Sequence, residues 1–245
     1  MISSCLLKNE HIFIFHSHGS SNYYLYGIVC SVSGTTVSIV HNNTALSTAS
    51  QQNCYEQSPV LLPNGNVFIS HSYDSTTHLG AIVCSISNEG ITVGTDTLLS
   101  DEAYMAYDTS SLVLPNNKVI IAHTYSHNTQ YLQGMIVSIN ELAITVETDT
   151  TLNTGAYTGL NVEMLLLSNG TIFMAHNYSS DYHLYAQIWG IDYENNVPTN
   201  QISIAEYETQ VRKVTTGQFD GIAKTDGVGG DDTGHKDIVS IWTKE

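Results

Sequence analysis

The chain has 245 residues, 42% hydrophobic and 12% charged, and seven Lys and Arg against 23 Asp and Glu give it a net charge of −16. That acidity argues against nucleic acid or an anionic membrane surface as a partner, since both reward Lys and Arg. The apolar content is ample for a core, and nothing in the composition points to disorder.

Taken in order, the chain opens on an apolar run, a polar turn and a second apolar run over residues 6–18, Leu-Leu-Lys-Asn-Glu-His-Ile-Phe-Ile-Phe-His-Ser-His. The pattern returns at 61–73 as Leu-Leu-Pro-Asn-Gly-Asn-Val-Phe-Ile-Ser-His-Ser-Tyr, and again at 113–125 and 166–178. The histidines in these copies, His16, His71, His123 and His176, are spaced 55, 52 and 53 residues apart. A fixed period of this size marks a repeat architecture. Asn-Gly or Asn-Asn at the turn supplies the positive φ that a tight β-hairpin requires.

After each histidine comes a polar loop, then a third run that begins on a small residue: Gly27, Ala81, Gly134 or Ala186. A short turn leads to a Thr-rich fourth run, as at 91–98 and 144–152. Four β-rich runs in about fifty residues describe a propeller blade, whereas a helical solenoid would need apolar spacing of three and four over ten or more positions. The fold expected is therefore all-β, a single β-propeller domain over 1–245. Its repeats cover 5–54, 58–104, 110–157 and 163–208, with an atypical closing segment at 209–245. Segments 12–16, 67–71, 119–123 and 172–176 should be equivalent strands. Three short β runs in 209–245, with Lys224 where the histidine stood, make five blades; four blades and a separate hairpin are the alternative.

The four cysteines show no metal-site spacing; Cys30 and Cys84 fall at equivalent places and suggest two separate buried thiols, as suits a reducing cytoplasm. No run is long and apolar enough for a membrane helix, and no secretory signal pattern opens the chain. The protein is thus expected to be made in the cytoplasm without a signal peptide and not to insert in a membrane; if it acts outside the cell, it is expected to leave by lysis or as part of a larger particle. Residues 226–234 form a Gly/Asp loop with two readings, a calcium-binding turn or a plain hairpin loop, and no cofactor is implied.

In an up-down-up-down blade, loops after strands two and four share one face, and those after one and three share the other. The second set is tight. The first is longer and rich in Tyr, Ser, Asn, Asp and His, so it is the candidate ligand face. Aromatic rings can cover the C–H face of a neutral or amine-bearing sugar while amides and carboxylates hydrogen-bond its hydroxyls. Tyr73, Tyr125 and Tyr178 recur in register and read as packing residues. Tyr24, Asp74, Tyr131, Asp181 and Tyr182 do not recur and are the expected ligand-binding residues. The four histidines could be imagined as a metal ring, but each belongs to a different blade, and a buried imidazole bonded to a neighbouring strand explains them more simply.

Enzyme signals are sparse. A sialidase-type arginine clamp is missing, since Arg212 is the only arginine, and no nucleophile elbow, phosphate loop or zinc-protease motif is present. A pair of glycosidase carboxylates stays open. The repeated Leu-Leu-Pro-Asn-Gly-Asn-Val-Phe-Ile-Ser-His motif at 61–71 with its copies, and Gly-Ile-Ala-Lys-Thr-Asp-Gly-Val-Gly-Gly at 221–230, resemble the propeller modules of receptor-binding tail-fibre proteins of tailed phages of Gram-positive hosts. That resemblance implies binding of a bacterial surface glycan and assembly as a homotrimer or larger virion part, although no coiled-coil stem is present here. The expectation is a non-catalytic carbohydrate-binding module. The alternatives are a structural or protein-binding propeller and a polysaccharide-degrading glycoside hydrolase.

Overall fold

The computed structural model describes residues 2–18, 24–47, 57–73, 78–100, 105–126, 131–153, 160–177, 184–192 and 197–204. These form antiparallel sheets that follow the repeat. The first contains β1 (Ile2–Leu6), β2 (Ile12–His18), β3 (Tyr24–Ser33) and β4 (Thr36–Ala45), and the second β5 (Ser58–Leu61), β6 (Val67–Ser72), β7 (Leu79–Ser87), β8 (Gly90–Val93) and β9 (Thr97–Leu98). The third contains β10 (Met105–Val113), β11 (Val119–Ser126), β12 (Tyr131–Asn140) and β13 (Ala143–Asn153). The fourth contains β14 (Leu160–Leu166), β15 (Ile172–Asn177), β16 (Leu184–Asp192) and β17 (Val197–Ile204). We call these sheets blades 1 to 4. In blade 2 the fourth run is split: Gly94 donates to the Val83 carbonyl at 2.8 Å and β8 gives way to β9, both paired with β7.

The register confirms the repeat. His16, His71, His123 and His176 lie opposite Tyr26, Gly80, Gln133 and Tyr185, each on the second strand of its blade. The small residues Gly27, Ala81, Gly134 and Ala186 lie opposite Phe15, Ser70, Ala122 and Ala175, the residue before each histidine. The hairpin turns also repeat. In blade 2 Gly65 donates to the Leu62 carbonyl at 2.9 Å and Leu62 donates to the Asn66 carbonyl at 2.8 Å, with Gly65 at φ 93°. This is a type I turn closed by a left-handed residue, one size larger than a two-residue hairpin. Glu10, Asn117 and Gly170 take the left-handed position in the other blades. Asn9, Asn64, Asn116 and Asn169 accept from the backbone two residues on, at 3.0–3.2 Å, and so brace each turn.

Strand alternation gives each blade two apolar faces, and the blades stack with one rule. Phe13, Phe15 and Val29 of blade 1 pack on Val67, Ile69, Ile82 and Cys84 of blade 2. Phe68, Ala81 and Val83, on the far side of blade 2, pack on Val119, Ile121, Met135 and Val137 of blade 3. Ile120, Ala122 and Ile136 then meet Val162, Ile172, Met174 and Trp189 of blade 4. Each blade therefore has a leading face, which carries the histidine, and a trailing face that receives the next blade. First strands touch in sequence, β1 to β5, β5 to β10 and β10 to β14, so these strands are innermost.

The small residue of the third strand is needed where blades are closest packed. A Cβ built on Gly27 would sit 2.4 Å from Phe13 Cε2 and 3.1 Å from Leu46 Cδ1, both on buried side chains. Gly27→Ala should therefore lower stability by about 1–3 kcal/mol through overpacking, read as a shifted urea midpoint at unchanged slope.

Candidate functional site

Within each blade, the start of strand one, the end of two, the start of three and the end of four share one end. In blade 3 the pairs Met105 with Ser126, Tyr125 with Tyr131 and Leu132 with Asn153 fix this. This is the face expected to bind ligand. The opposite face holds the tight turns, and its polar groups are used between blades: Lys8 donates to the Pro63 carbonyl, Asn66 to the Glu141 carbonyl at 3.1 Å, and His41 to the Ser87 carbonyl at 2.7 Å.

At the loop face the innermost strands are irregular in the same way. In β10 the register shifts between Tyr107 and Ser110, and in β14 between Leu160 and Glu163, each by one extra residue. The residues in these bulges, Asp108 at φ 52° and Asn161 at φ 57°, are left-handed without being glycine. Asp and Asn are the side chains that best tolerate that conformation, and bulges with such strain gather next to binding and catalytic sites. Below the bulges the inner strands are stitched together. Ser111 N donates to Ser58 Oγ at 2.8 Å, Met164 N to Ser110 Oγ at 3.1 Å, and Ser70 and Ser111 hydroxyls are 2.8 Å apart. The result is a rigid seat for a carboxylate, half-buried Asp108, and an exposed amide, Asn161, at the axial mouth of the loop face.

Sequence reasoning missed this pair. The signal was present as Tyr55-Glu56, Tyr107-Asp108 and Tyr207-Glu208, where an acidic residue follows a tyrosine at blade junctions. The tyrosines drew attention and the acids beside them did not. Glu56, the counterpart of Asp108 by period, lies outside the described residues. Among the expected ligand residues, Tyr24 is half-buried at the start of β3 on the loop face. Tyr131 opens β12 at the same end, and only its backbone is described. Asp74, Asp181 and Tyr182 lie outside the described residues, as do the Gly/Asp loop at 226–234 and the closing segment at 209–245.

The repeating histidines do not converge on an ion, and no group of three or more His, Cys, Asp or Glu among the described residues could hold a metal. His71 Nε2 is 3.1 Å from Asp96 Oδ1 and its Nδ1 is 2.8 Å from the Ser72 carbonyl. In blade 1, His16 Nε2 meets Asn43 Oδ1 at 3.0 Å, so a strand-two imidazole reaches a strand-four Asx side chain in both blades. The described cysteines Cys5, Cys30 and Cys84 are free thiols, and burial, helped by the Asp96 charge, pushes Cys84 up to about 12. A thiol raised that far is inert at neutral pH.

Burial drives His123 down to about 4, against a weaker upward pull from the Thr124 backbone. The folded value lies below the unfolded one, so the unfolded chain takes up the proton first as pH falls. Stability present above pH 6.5 should then decline toward pH 4, by about 3 kcal/mol in all. Urea midpoints of the parent and of His123→Gln across that range check this, the parent slope being the steeper.

No family model matches the chain, and no curated protein does. Solved structures share its fold. A GH43 β-1,3-galactosidase matches with TM-score 0.54 at 9% identity over 84% of this chain and 45% of that one. An endo-arabinase from Bacteroides thetaiotaomicron matches with TM-score 0.52 at 8% identity over 82% and 78%. A PL25 ulvan lyase matches with TM-score 0.51 at 9% identity over 84% and 57%. At such identities the likeness concerns the fold. It nevertheless corrects one expectation: the module was read as non-catalytic for want of a motif, and its architecture proves to be one on which glycan-cleaving enzymes are built. Their chemistry needs no contiguous motif, since two carboxylates from separate strands suffice. The likenesses contain no link to phage fibres. The chain is an all-β protein of the propeller type shared with carbohydrate-active enzymes.

Proposed function

We propose that this protein cleaves a glycan, as a polysaccharide-degrading glycoside hydrolase working at the axial mouth of the loop face. The observation that carries the reading is Asp108, held left-handed in a bulge of an innermost strand and matched by Asn161 one blade on. A fixed carboxylate there is suited to proton transfer at the glycosidic oxygen, or to activating water against the anomeric carbon, with a second carboxylate completing the pair. Of the residues expected to bind, half-buried Tyr24 lies on this face, and by their types Tyr24, Tyr131 and Tyr182 suit stacking on a sugar ring while Asp74 and Asp181 suit accepting from hydroxyls or amines.

The net charge of −16 favours a neutral or amine-bearing polymer over a polyuronate, which the protein's field would repel. Hydrolysis is accordingly preferred to the elimination that lyases perform on uronates. The repeat and tail motifs support a bacterial surface polysaccharide as the target and a tailed-phage particle, assembled from several copies, as the carrier. Incubation with cell-wall and capsular polysaccharides of Gram-positive bacteria should release reducing ends without the ultraviolet absorbance of an unsaturated product. Tight glycan binding with no release of reducing ends would overturn the enzymatic reading.

A further inference from the structure

The stacking rule leaves two faces over. The leading face of blade 1, with Ile2, Leu6, Ile12, Ile14, Ile28, Val32, Val37 and Ile39, has no blade before it. Ile2 is 75% exposed, Leu6 65%, and Val37 and Ile39 64% each. Ile12, Ile14 and Ile28 are half-buried, whereas their counterparts in blade 2, Val67, Ile69 and Ile82, are closed at 0%. Even the repeating histidine registers the difference: His71, His123 and His176 are buried, whereas His16 is half-buried. The trailing face of blade 4 is open in the same manner, with Leu165 59% exposed beside exposed Glu163 and half-buried Phe173 and Ile188. Blades 1 and 4 therefore do not close on each other, and apolar area of this kind is costly in water.

We infer that residues 205–245 occupy this gap as a fifth blade, its leading face on blade 4 and its trailing face on blade 1. Three observations favour this occupant. The described chain ends at Ile204, in the last strand of blade 4, six residues short of the β run that starts at Gln210. The connection from β13 to β14, Asn153 to Leu160, is one residue longer. The segment places apolar residues at both odd and even positions, as strands buried on two faces require, in Phe219-Asp220-Gly221-Ile222 and Ile238-Val239-Ser240-Ile241-Trp242. It also holds five of the seven basic residues, Arg212, Lys213, Lys224, Lys236 and Lys244, beside eight acidic ones, and so has cations to offer Glu163 on the open face where the preceding chain has only Lys8 and Lys118.

The test compares the full chain with a chain ending at Ile204. The full chain should leave the dye ANS dark, and its mass in light scattering should not change on Ile39→Asp. The truncated chain should bind ANS several-fold more strongly and self-associate, and a separately made 205–245 polypeptide should reverse both. Should the truncated chain not fold, the full chain with Trp189→Phe keeps Trp242 as its single indole reporter. That reporter should be shielded from acrylamide and become exposed on adding Ile39→Asp. Full chain that lights ANS as strongly as the truncated form, or a solvent-exposed Trp242, overturns the inference. So does a full-length dimer that Ile39→Asp dissociates, because a second copy would then cover the face.

Discussion

Asp108→Asn is expected to lower reducing-end release by roughly 10²–10⁴-fold, the range a positioned general acid or base contributes, while leaving the thermal midpoint almost unchanged. The two halves of that expectation have separate causes. Asparagine removes the ionisable oxygen and with it proton transfer. It keeps the left-handed backbone, because the equivalent bulge of β14 already holds Asn161 at φ 57°. Asp108→Ala should lose activity and also stability, by about 1 kcal/mol, since alanine tolerates positive φ poorly. An Asp108→Asn protein that cleaves as fast as the parent would remove Asp108 from the chemistry.

The largest stability effect is expected at Asp96. Its carboxylate faces a fully buried His71 at 3.1 Å, with the carboxylate side chain itself only 10% exposed. The imidazole's other nitrogen is committed to the Ser72 carbonyl, an acceptor, so it must donate there. Asp96→Ala takes the carboxylate from a buried ring and should cost about 3–5 kcal/mol, as removal of one partner of a buried pair does. Asp96→Asn should cost far less, near the 1 kcal/mol of an exchanged hydrogen bond, because blade 1 works with Asn43 at this position. Chemical denaturation of both variants decides the matter, and equal losses would show that the charge, absent from both, is what stabilises and that an amide does not replace it as Asn43 does in blade 1.

The repeat was legible because its carriers answer to local physics. A histidine and a small residue in fixed register report strand pairing, and Asn-Gly reports a turn. Which loops share an end was likewise legible, since antiparallel alternation alone assigns loops to ends. What escaped was the axial site. A β-bulge is one extra residue in a strand, and Asp108 and Asn161 take their meaning from φ values that tertiary packing imposes. Alternation patterns are blind to that. The expectation of a non-catalytic module was corrected for a related reason: it looked for contiguous motifs, and glycan-cleaving enzymes of this fold need none, since two carboxylates from separate strands suffice.

Leading-to-trailing stacking also bears on how the molecule comes apart. Each blade touches only its neighbours, so its stability is a sum of blade terms and interface terms, as in a one-dimensional chain of coupled units. A unit with two interfaces is held by both, and an interface lost at one point loosens the units on either side first. Amide exchange in blades 2 and 3 should then require opening of two interfaces, whereas blades 1 and 4 each share one described interface with another blade. The axial seat at Asp108 sits in blade 3, which packs against a described blade on both sides, so its amides should exchange among the slowest in the chain.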